Sequence, residues 1–581
     1  MGYKILCVAE KNSIAKAVAS HLAGGRFTTT STGNKFIKNY SFTFDFGGPW
    51  GICNTVMTSV SGHLTEAKFP DDYKSWEYPP PESLFEAPVR VVIDASKKSI
   101  ATNITQNSRG AKALFIWTDC DREGEHIGGE VRAEALKGNP NLLIWRARFS
   151  NIERAHVIQA AKNPTQLDDR QVNAVAARIE IDLRIGLAFT RYLTLTLRPL
   201  GDALSKNPDG KTRVISYGSC QFPTLGFVVD RYLKVKNFTP ENFWSIKVTH
   251  HRNNTNVVFS WKRIRLFDRM AVVIFFERCL TAKFAKVIKV QEKPTSKNDD
   301  KAHPPIHPVT WVSSSNLNQQ EARVYEFVTR RFLACCSDDA KGQATDIDIA
   351  YGDEEFGAHG VVILARNYLD IYPYENWSSS AILPKFTLEE RFVPTEAMLT
   401  DGKTTAPGYL TEPDLISLMD ANGIGTDATM AEHIAKIKER NYVFTRPKGA
   451  GGFGGLSIDS ESENALGNRR ERRGGRGGRR GRGGAASNST RHSGLEEFIP
   501  STLGVALVDG YDKMGFETSL TKPFLRKEME LRMKDICEGR ISRDAVLQDN
   551  IRQYKRVFEQ SRERVDILKA SCRRYVLGEQ S

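Results

Sequence analysis

Three carboxylates follow one short apolar run of the sequence. FIWTDCDREGE passes from apolar residues into Asp119, Asp121 and Glu123, each two positions beyond the last. Alternate side chains of an extended chain project to the same face, and carboxylate oxygens are preferred ligands of hard cations such as Mg²⁺. The spacing therefore predicts a Mg²⁺ site, although a bare acidic run of this kind also fits a solvated turn.

A fourth acid follows another apolar run near the start of the chain. YKILCVAE ends in Glu10, and Lys11 comes next. Ligands of a parallel α/β sheet bind beyond the carboxyl ends of the strands, so Glu10 and the three acids are expected to converge on one crevice. A carboxylate that exchanges a proton, beside metal-bound carboxylates and a lysine, suits phosphoryl-transfer chemistry.

Alternating strands and helices are predicted to position these acids. YKILCVAE and KALFIWTDCD are typical of buried strands, whereas SIAKAVASHLAG and EGEHIGGEVRAEAL have helical spacing. This alternation over about 150 residues predicts an α/β domain with a parallel sheet.

The rest of the chain is predicted to be mixed. Residues 166–235 are mostly helical in pattern, and residues 243–290 alternate with period 2, as do TDIDIAYG and GVVILARNYLDIY. These runs predict antiparallel strands. Helical patterns return in TEPDLISLMDANG, TMAEHIAKIKERN, RKEMELRMKDICEG and DAVLQDNIRQYKRVFEQSRERV. The fold class is therefore α/β plus α+β, in several domains.

Positive charge is concentrated in one segment. The 581 residues carry a net charge of +13, with 82 Lys and Arg against 69 Asp and Glu. Residues 469–484, RRERRGGRGGRRGRGG, hold eight Arg and one Glu. Excess positive charge favours a nucleic-acid partner, and RGG tracts bind single strands. Gly, Ser and Asn surround the tract, which indicates a disordered insertion; a solvated linker is the alternative.

Other classes of protein are disfavoured. The longest apolar run, at 270–276, is far shorter than the ~20 residues of a membrane span, and charges at Lys4 and Glu10 argue against a secretory leader. Nine scattered Cys without a CxxC pair predict neither a zinc ribbon nor a disulfide framework. We expect an intracellular protein without a membrane partner.

Several motifs, in order, resemble one known family. EKN after the first strand and DCDREGE resemble the Toprim domain of type IA DNA topoisomerases. The family's groove helix resembles VNAVAARIEIDLRIG, and its gate hinge resembles SYGSCQFPTLGFVVDRY. Two later blocks of the family resemble KAHPPIHP and LTEPDLISLMDANGIGTDATMAEHIAKIKERNYV. Together the motifs are most similar to the eukaryotic topoisomerase III branch. The resemblance implies an N-terminal Toprim α/β domain followed by the helical and β-arch domains of the type IA core.

The resemblance also implies roles for single residues. Glu10 would act as acid or base near the scissile phosphate with Lys11 contacting it, and Asp119, Asp121 and Glu123 would hold Mg²⁺. The other implied residues are Arg178 and His303 as catalytic groups, and Asp182, Ser216, Gly218, Ser219 and Gln221 as DNA-binding groups. Without the resemblance, Arg178 also fits an ordinary helix charge, SYGSCQ a glycine turn, and His303 a rigid proline loop.

The implied domain boundaries follow the same motifs. They are 1–155 for the Toprim domain, 156–235 and 401–447 for two parts of the helical groove domain, 236–296 and 341–400 for the two parts of the gate β-arch, 297–340 for a remnant of the nucleophile domain, 448–494 for the disordered RGG-rich insertion and 495–581 for the C-terminal helical part of the core.

The nucleophile of the family has no match in this sequence. Type IA topoisomerases cut one strand by attack of a Tyr hydroxyl, in a block reading roughly ISYPRTE before AHPPIHP. Here KVIKVQEKPTSKNDDKAHPPIHP runs without such a block, and no Tyr lies between Tyr232 and Tyr325. Tyr217, in the hinge, and Tyr325, at an amphipathic core position, are poor substitutes.

Two hypotheses therefore stay open. The first is a strand-cleaving topoisomerase III that uses Mg²⁺ on single-stranded, negatively supercoiled or recombining DNA. The second is a non-cleaving DNA-binding or scaffold form, or an incomplete gene product. The resemblance further implies a nuclear location, a role in recombination and repair, and partnership with a RecQ-family helicase and its accessory OB-fold protein. A Toprim nuclease or primase would give the gate and GIGTDAT blocks no role.

Overall fold

Two compact units make up the chain. A computed structural model describes residues 2–207, 210–291, 306–308, 310–375, 383–426, 429–448 and 495–579. The first unit joins Met1–Asn237 to Pro407–Ser581, and the second is Phe238–Ala406. His303 and the predicted insertion beyond Lys448 lie outside the described residues. The finer domain boundaries stay predictions.

Strands and helices alternate through the first 237 residues. They are β1 (Lys4–Ala9), α1 (Asn12–Leu22), β2 (Thr28–Ser31), β3 (Lys38–Asp45), β4 (Ile52–Ser59), β5 (Thr65–Lys68), β6 (Arg90–Ile93), α2 (Lys98–Ser108), β7 (Ala113–Trp117), α3 (Arg122–Gly138), β8 (Leu143–Arg146), α4 (Arg154–Lys162), α5 (Asp169–Leu197), α6 (Asp202–Ser205) and α7 (Gln221–Lys236).

A six-stranded sheet with the order β2-β3-β4-β1-β7-β8 forms the core of this region. Strands β4, β1, β7 and β8 are parallel to one another, as predicted. The sheet is nevertheless mixed, because β2 and β3 are antiparallel. The short connection FGGPWG between β3 and β4 explains the difference, since a parallel crossover needs a dozen or more residues.

Helices cover both faces of this sheet. In β1, Ile5, Cys7 and Ala9 pack with α1 and α4, whereas Leu6 and Val8 pack with α2 and α3; all five side chains are fully buried. A strand buried on both faces reads as a continuous apolar run, which is the pattern of KILCVA. The polar residues that follow such a strand are therefore delivered to the edge of the sheet.

The second unit is built around a seven-stranded antiparallel sheet with the order β14-β11-β12-β13-β10-β9-β15. Its elements are β9 (Asn242–Arg252), β10 (Thr255–Trp261), α8 (Arg269–Thr281), β11 (Ala285–Gln291), α9 (Gln319–Cys335), β12 (Lys341–Tyr351), β13 (Glu354–Ala365), α10 (Tyr368–Ile371), β14 (Arg391–Phe392) and β15 (Glu396–Lys403). The antiparallel prediction is confirmed here.

Helix α8 was not predicted, because the apolar residues 270–276 lie in a region of strand-like sequence. Asp268 begins the helix: its Oδ1 accepts hydrogen bonds from the N–H groups of Met270 and Ala271 at 2.8 and 3.2 Å. A short apolar run fits a buried helix as well as a strand. The N-cap residue is the signal that separates the two.

The chain then returns to the first unit. Its last elements are α11 (Glu412–Ala421), α12 (Met430–Glu439), β16 (Val443–Pro447), β17 (Glu496–Pro500), α13 (Thr502–Lys513), α14 (Phe524–Cys537), α15 (Arg543–Glu563) and α16 (Val565–Cys572). They pack with α5 and α7 around one large apolar cluster that includes Phe189, Phe222 and Tyr554. None of the helices in the described ranges is both long and apolar enough to cross a membrane.

Strands β16 and β17 bracket the arginine-rich insertion. They pair antiparallel from Val443↔Pro500 to Pro447↔Glu496, and the N–H of Lys448 donates to the carbonyl oxygen of Leu495 at 2.8 Å. The two ends of the insertion are thus held together by backbone hydrogen bonds. This pairing does not depend on the residues between them.

Replacing residues 450–493 by a four-residue Gly-Ser linker is therefore expected to keep the fold. Shortening a loop lowers the entropy cost of closing it, so the thermal unfolding midpoint should be unchanged or higher. Phe498→Ala is the control, because Phe498 on β17 is 1% exposed and such a truncation costs ~3–5 kcal/mol. A linker variant that melts as early as the control would contradict this account of the hairpin.

Candidate active site

The ends of β1 and β7 bring together two of the predicted site residues, Glu10 and Asp119. The two strands pair with Ala9 opposite Trp117, and the N–H of Glu10 donates to the Trp117 carbonyl at 3.2 Å. The N–H of Asp119 in turn donates to Glu10 Oε2 at 3.2 Å. Glu10 is 9% exposed. Glu10 is therefore fixed beside the turn after β7 that carries Asp119, Asp121 and Glu123, which we call the acidic loop.

Lys11 places a cation over these two acids. Its Nζ lies 3.6 Å from Glu10 Oε1 and 3.7 Å from Asp119 Oδ2, and its side chain is 59% exposed. An ammonium between two carboxylates offsets their mutual repulsion. Because the lysine is exposed, it can exchange these partners for a phosphate.

The turn after β7 depends on a glycine. Asp121 begins α3, and its Oδ1 accepts the N–H of Gly124 at 2.7 Å. A Cβ at position 124 would lie 2.0 Å from the carbonyl oxygen of Asp119, so only glycine fits. Thr118 Oγ1 closes the turn by donating to the Gly124 carbonyl at 2.7 Å. Asp119 and Asp121 therefore occupy a rigid turn.

A buried arginine that was not predicted from the sequence supports this turn through hydrogen bonds to its backbone. Arg146, at the end of β8, is fully buried. It donates to Glu125 Oε1 and to four backbone carbonyls, those of Ile116, Thr118, Asp119 and Ala147, at distances from 2.7 to 3.3 Å. Neither periodicity nor a motif distinguishes this arginine from a surface residue. It fixes the shape of the acidic loop.

Glu123 faces the long helix α5 instead of its two acidic neighbours. Arg178 Nη2 donates to both of its carboxylate oxygens at 2.8 and 2.9 Å, and His63 Nε2 lies 3.7 Å away. Burial alone would raise the pKa of Glu123, but the contacts with His63 and Arg178 hold it below its ordinary value. Glu123 is therefore an ionised carboxylate already paired with cations.

Helix α5 carries Asp182 on the same face as Arg178, one turn further along. Asp182 accepts hydrogen bonds from Ser219 Oγ at 2.7 Å and Arg526 Nη1 at 2.9 Å. Arg526 also donates to Glu530 at 2.6 Å. These contacts connect α5, the hinge motif and α14, and sequence reasoning identified neither Arg526 nor Glu530.

Glu530 joins this network to the acidic loop. Arg122, in the first turn of α3, donates to its Oε2 at 2.7 Å. Burial would raise the pKa of Glu530, but the guanidinium groups of Arg526 and Arg122 lower it overall. The acidic loop and the groove helix are thus connected through charge-assisted hydrogen bonds in which each buried charge has a partner.

The hinge motif is arranged around Gly218. A Cβ at this position would lie 1.7 Å from Gln221 Oε1, so glycine lets the Gln221 amide fold back. The amide Nε2 donates to His433 Nδ1 at 3.1 Å. Burial and the nearby Arg526 charge lower the pKa of His433 to about 4, which leaves the ring neutral and able to accept. The hinge and α12 are thereby joined.

The predicted residues differ in what remains available to a ligand. Ser219 is 8% exposed, and its hydroxyl is engaged by Asp182 and Arg526. Ser216 is half-buried and its carbonyl oxygen accepts the Tyr442 hydroxyl at 2.8 Å. Arg178 Nε and Arg440 Nη1 are buried and lack a hydrogen-bond partner among the described residues. Because these two donor atoms are buried, they are not open to a ligand in this structure.

The three acids are not a ready-made metal cage. Among the described residues, the group of three or more His, Cys, Asp or Glu ligand atoms within 4.8 Å of one another is that of His63, His126 and Glu130, not the acidic run. Mg²⁺ nevertheless binds through one or two carboxylates and keeps several waters. Asp119 and Asp121, on a rigid and partly exposed turn, fit that mode of binding.

Comparisons with known proteins show the family of this chain. The Toprim domain profile matches residues 5–152, and a profile described as DNA topoisomerase matches residues 166–300 and 291–450. DNA topoisomerase 3 of Schizosaccharomyces pombe is 40% identical over 663 aligned positions that cover 99% of each chain. The chain belongs to the type IA DNA topoisomerases.

Further relatives lie in the topoisomerase III branch of this family. DNA topoisomerase 3 of Saccharomyces cerevisiae is 37% identical, covering 96% of this chain and 97% of its own. Human DNA topoisomerase 3-alpha is 37% identical over 96% of this chain and 58% of its own. Full-length topoisomerase I from Thermotoga maritima shares the fold, with a TM-score of 0.57 at 16% identity over 96% of this chain and 90% of that one.

This type IA topoisomerase has a discontinuous match to its own family. The two pieces of the topoisomerase profile meet at residues 291–300. The alignment with the S. pombe relative also runs over 663 positions, although this chain has 581 residues. That relative therefore has positions without a counterpart here. The interruption of the profile falls where the sequence lacks the tyrosine block.

The contribution of buried Arg146 to stability can be compared with that of Arg148, which contacts the same carboxylate from the surface. Arg146 and Arg148 both donate to Glu125 Oε1, at 3.0 and 3.1 Å, but Arg148 has a 43% exposed side chain. Arg146→Met should lower the free energy of unfolding by ~3–5 kcal/mol, because it breaks a buried pair. Arg148→Met should cost about 1 kcal/mol or less. Urea denaturation followed by tryptophan fluorescence measures both, and equal losses would contradict the role given to Arg146.

Proposed function

We propose that this topoisomerase III-like chain binds single-stranded DNA across the acidic loop and the α5 groove, using Mg²⁺ at the loop. The observation that carries the proposal is the continuous set of contacts from Glu123 to Arg178 and from Arg122 through Glu530 to Arg526. It holds the Toprim acids in a fixed place beside the groove helix. The implied setting is the nucleus, in recombination and repair, with a RecQ-family helicase and its OB-fold accessory protein as partners.

The cleaving form is the first candidate, and in it each group near the loop has a proposed part in strand cleavage and religation. Glu10 holds or releases a proton at the oxygen that leaves or attacks the phosphorus. Lys11 and Arg178 balance the charge of the phosphate, and Asp119 and Asp121 hold Mg²⁺, with Glu123 close by. Bound Mg²⁺ would neutralise the phosphate oxygens and orient the backbone. His303 stays a family-based prediction.

The hinge motif has a proposed part in holding the single strand. Gly218 lets the backbone approach the DNA closely once the Gln221 amide moves aside, and Ser216 and Gln221 are offered to phosphate oxygens. Asp182 and Ser219 act indirectly, by holding Arg526 in position, because their polar atoms are engaged with that residue. Contacts of this kind set the position of the strand and carry little sequence preference.

The metal part of the proposal is tested by Mn²⁺ binding. Mn²⁺ is the spectroscopic substitute for Mg²⁺, and competition between the two ions gives the affinity for Mg²⁺ by electron paramagnetic resonance. Asp119→Asn should weaken binding at least tenfold, because one anionic ligand is removed. Asp71→Asn is the control, since Asp71 has an 84% exposed side chain in another part of the unit. Equal affinities in the two variants would contradict a Mg²⁺ site at Asp119.

A non-cleaving form is the second candidate, and the missing tyrosine favours it. Strand cleavage by this family joins a Tyr oxygen to the 5′-phosphate and releases the 3′-hydroxyl, which takes up a proton; religation reverses both bond changes. Tyr217 is 4% exposed, and burial raises its pKa well above the ordinary value. The Tyr325 hydroxyl donates to the Thr310 carbonyl at 2.9 Å. Neither residue is a suitable nucleophile.

Covalent trapping distinguishes the two candidates. The full chain is mixed with 5′- and 3′-labelled single-stranded oligonucleotides and Mg²⁺, then quenched with denaturant, while fluorescence anisotropy reports binding. We expect binding without a denaturant-resistant adduct, because the sequence lacks the family's tyrosine block and Tyr217 is buried. An adduct would establish cleavage and exclude the non-cleaving form. Failure to bind single strands at all would refute the proposed groove.

A further inference from the structure

A second group of ligand atoms lies behind Glu123 in the first unit. His63 follows β4, while His126 and Glu130 lie one turn apart on α3. Their ligand atoms are all within 4.8 Å of one another. The donors are two imidazole nitrogens and one carboxylate, a set unlike the all-carboxylate loop. Nitrogen-rich sets favour borderline transition metals over Mg²⁺.

The distances match the coordination sphere of such an ion. Glu130 Oε1 lies 3.3 Å from His63 Nδ1 and 3.6 Å from His126 Nδ1. Two ligands bound to Zn²⁺ at 2.0–2.1 Å with a tetrahedral angle are about 3.3 Å apart. The two contacts of Glu130 are therefore close to this spacing, and all three ligand atoms lie within 4.8 Å of one another. A water would complete the four ligands.

His126 supplies an independent sign of a missing ligand. The residue is 9% exposed, and its Nδ1 is buried without a hydrogen-bond partner among the described residues. A buried polar atom without a partner is costly. Burial also lowers the pKa of His126, which keeps the ring neutral, the form that binds metals. A cation next to Nδ1 and Glu130 would satisfy that nitrogen.

The surroundings hold the other two ligands in place. Glu130 Oε2 accepts the N–H of Leu64 at 2.7 Å, and Oε1 accepts the hydroxyl of Thr65 at 2.5 Å. With Nδ1 of His63 on the metal, its Nε2–H faces Glu123, 3.7 Å away. Metal-bound histidines commonly donate their second N–H to a carboxylate in this way.

We propose that His63, His126 and Glu130 form a binding site for a divalent transition-metal ion of the Zn²⁺ class, separate from the Mg²⁺ loop. The bound ion orients the His63 ring, and through it the carboxylate of Glu123. His63 and His126 act as metal ligands, and the ion is a positioning element instead of a reactant. A transition metal thereby adjusts the acidic loop without touching the DNA.

A proton competes with the ion at His63. Metal ions bind the deprotonated imidazole, so any proton on a ring nitrogen that becomes a ligand must leave. Binding is therefore measured at pH 8, where protons compete less than they do at acidic pH.

The experiment uses the full chain freed of metal by a chelator. Equilibrium dialysis against Zn²⁺, with metal content read by mass spectrometry, should show one equivalent bound at this site. Co²⁺ in its place should give the visible absorption bands of a tetrahedral nitrogen and oxygen site. Both readouts are independent of any effect on DNA.

The ligands are tested with two variants and a matched control. His126→Phe keeps an aromatic ring of similar size, and Glu130→Gln keeps the side-chain shape and one acceptor oxygen, for the N–H of Leu64. Each variant should bind Zn²⁺ at least tenfold more weakly. His156→Gln is the control and should bind as the unchanged chain does, since His156 has a 49% exposed side chain elsewhere in the unit. Circular dichroism confirms that each variant is folded.

Two results would overturn the proposal. One is Zn²⁺ uptake by the unchanged chain that does not exceed uptake by folded His126→Phe and Glu130→Gln. The other is loss of the Zn²⁺ equivalent in Asp119→Asn, which would place the ion at the acidic loop. Retention of Zn²⁺ by Asp119→Asn together with loss of Mg²⁺ would support two separate sites.

Discussion

The Arg146 guanidinium is the interaction on which the acidic loop depends. It is fully buried and donates to four backbone carbonyl oxygens around the loop. Its carboxylate partner, Glu125, also accepts the N–H of Asp168 at 3.0 Å, immediately before α5 begins. One ion pair therefore fixes both the turn that presents Asp119 and the start of the helix that presents Arg178.

From this anchor, charged pairs continue across the first unit. A helix of 29 residues is ~43 Å long, and α5 uses this length to bring Arg178 and Asp182 to different partners. Taking such charges out of water is costly, and their pairing offsets the cost only with good geometry. We infer that the network serves to position these charged groups more than to stabilise the fold. A phosphate-binding surface needs that order before DNA arrives.

Much of this arrangement could be predicted from the sequence, and the reason is local. Buried strands that end in acids, and the family motifs around them, placed Glu10, Asp119 and Asp121 at one edge of the sheet. Arg526 was not predicted, because it meets Asp182 across 344 positions of sequence and no periodic pattern reports such a distance. Arg146 and the His63 cluster were missed for the same reason. The antiparallel strands β2 and β3 were not predicted, because strand–helix alternation indicates only the parallel part of a sheet.

The second unit leaves and rejoins the first at neighbouring points. Arg231 near the end of α7 donates to the Gly408 carbonyl at 2.9 Å, and the rings of Tyr232 and Tyr409 stack at 6.1 Å. Among the described residues, none from Phe238–Ala406 belongs to the large apolar cluster of the first unit. The gap in the family match falls within it. A change of sequence in that segment therefore leaves the core residues of the first unit unchanged. An intact Toprim domain is then no evidence that the nucleophile segment is present.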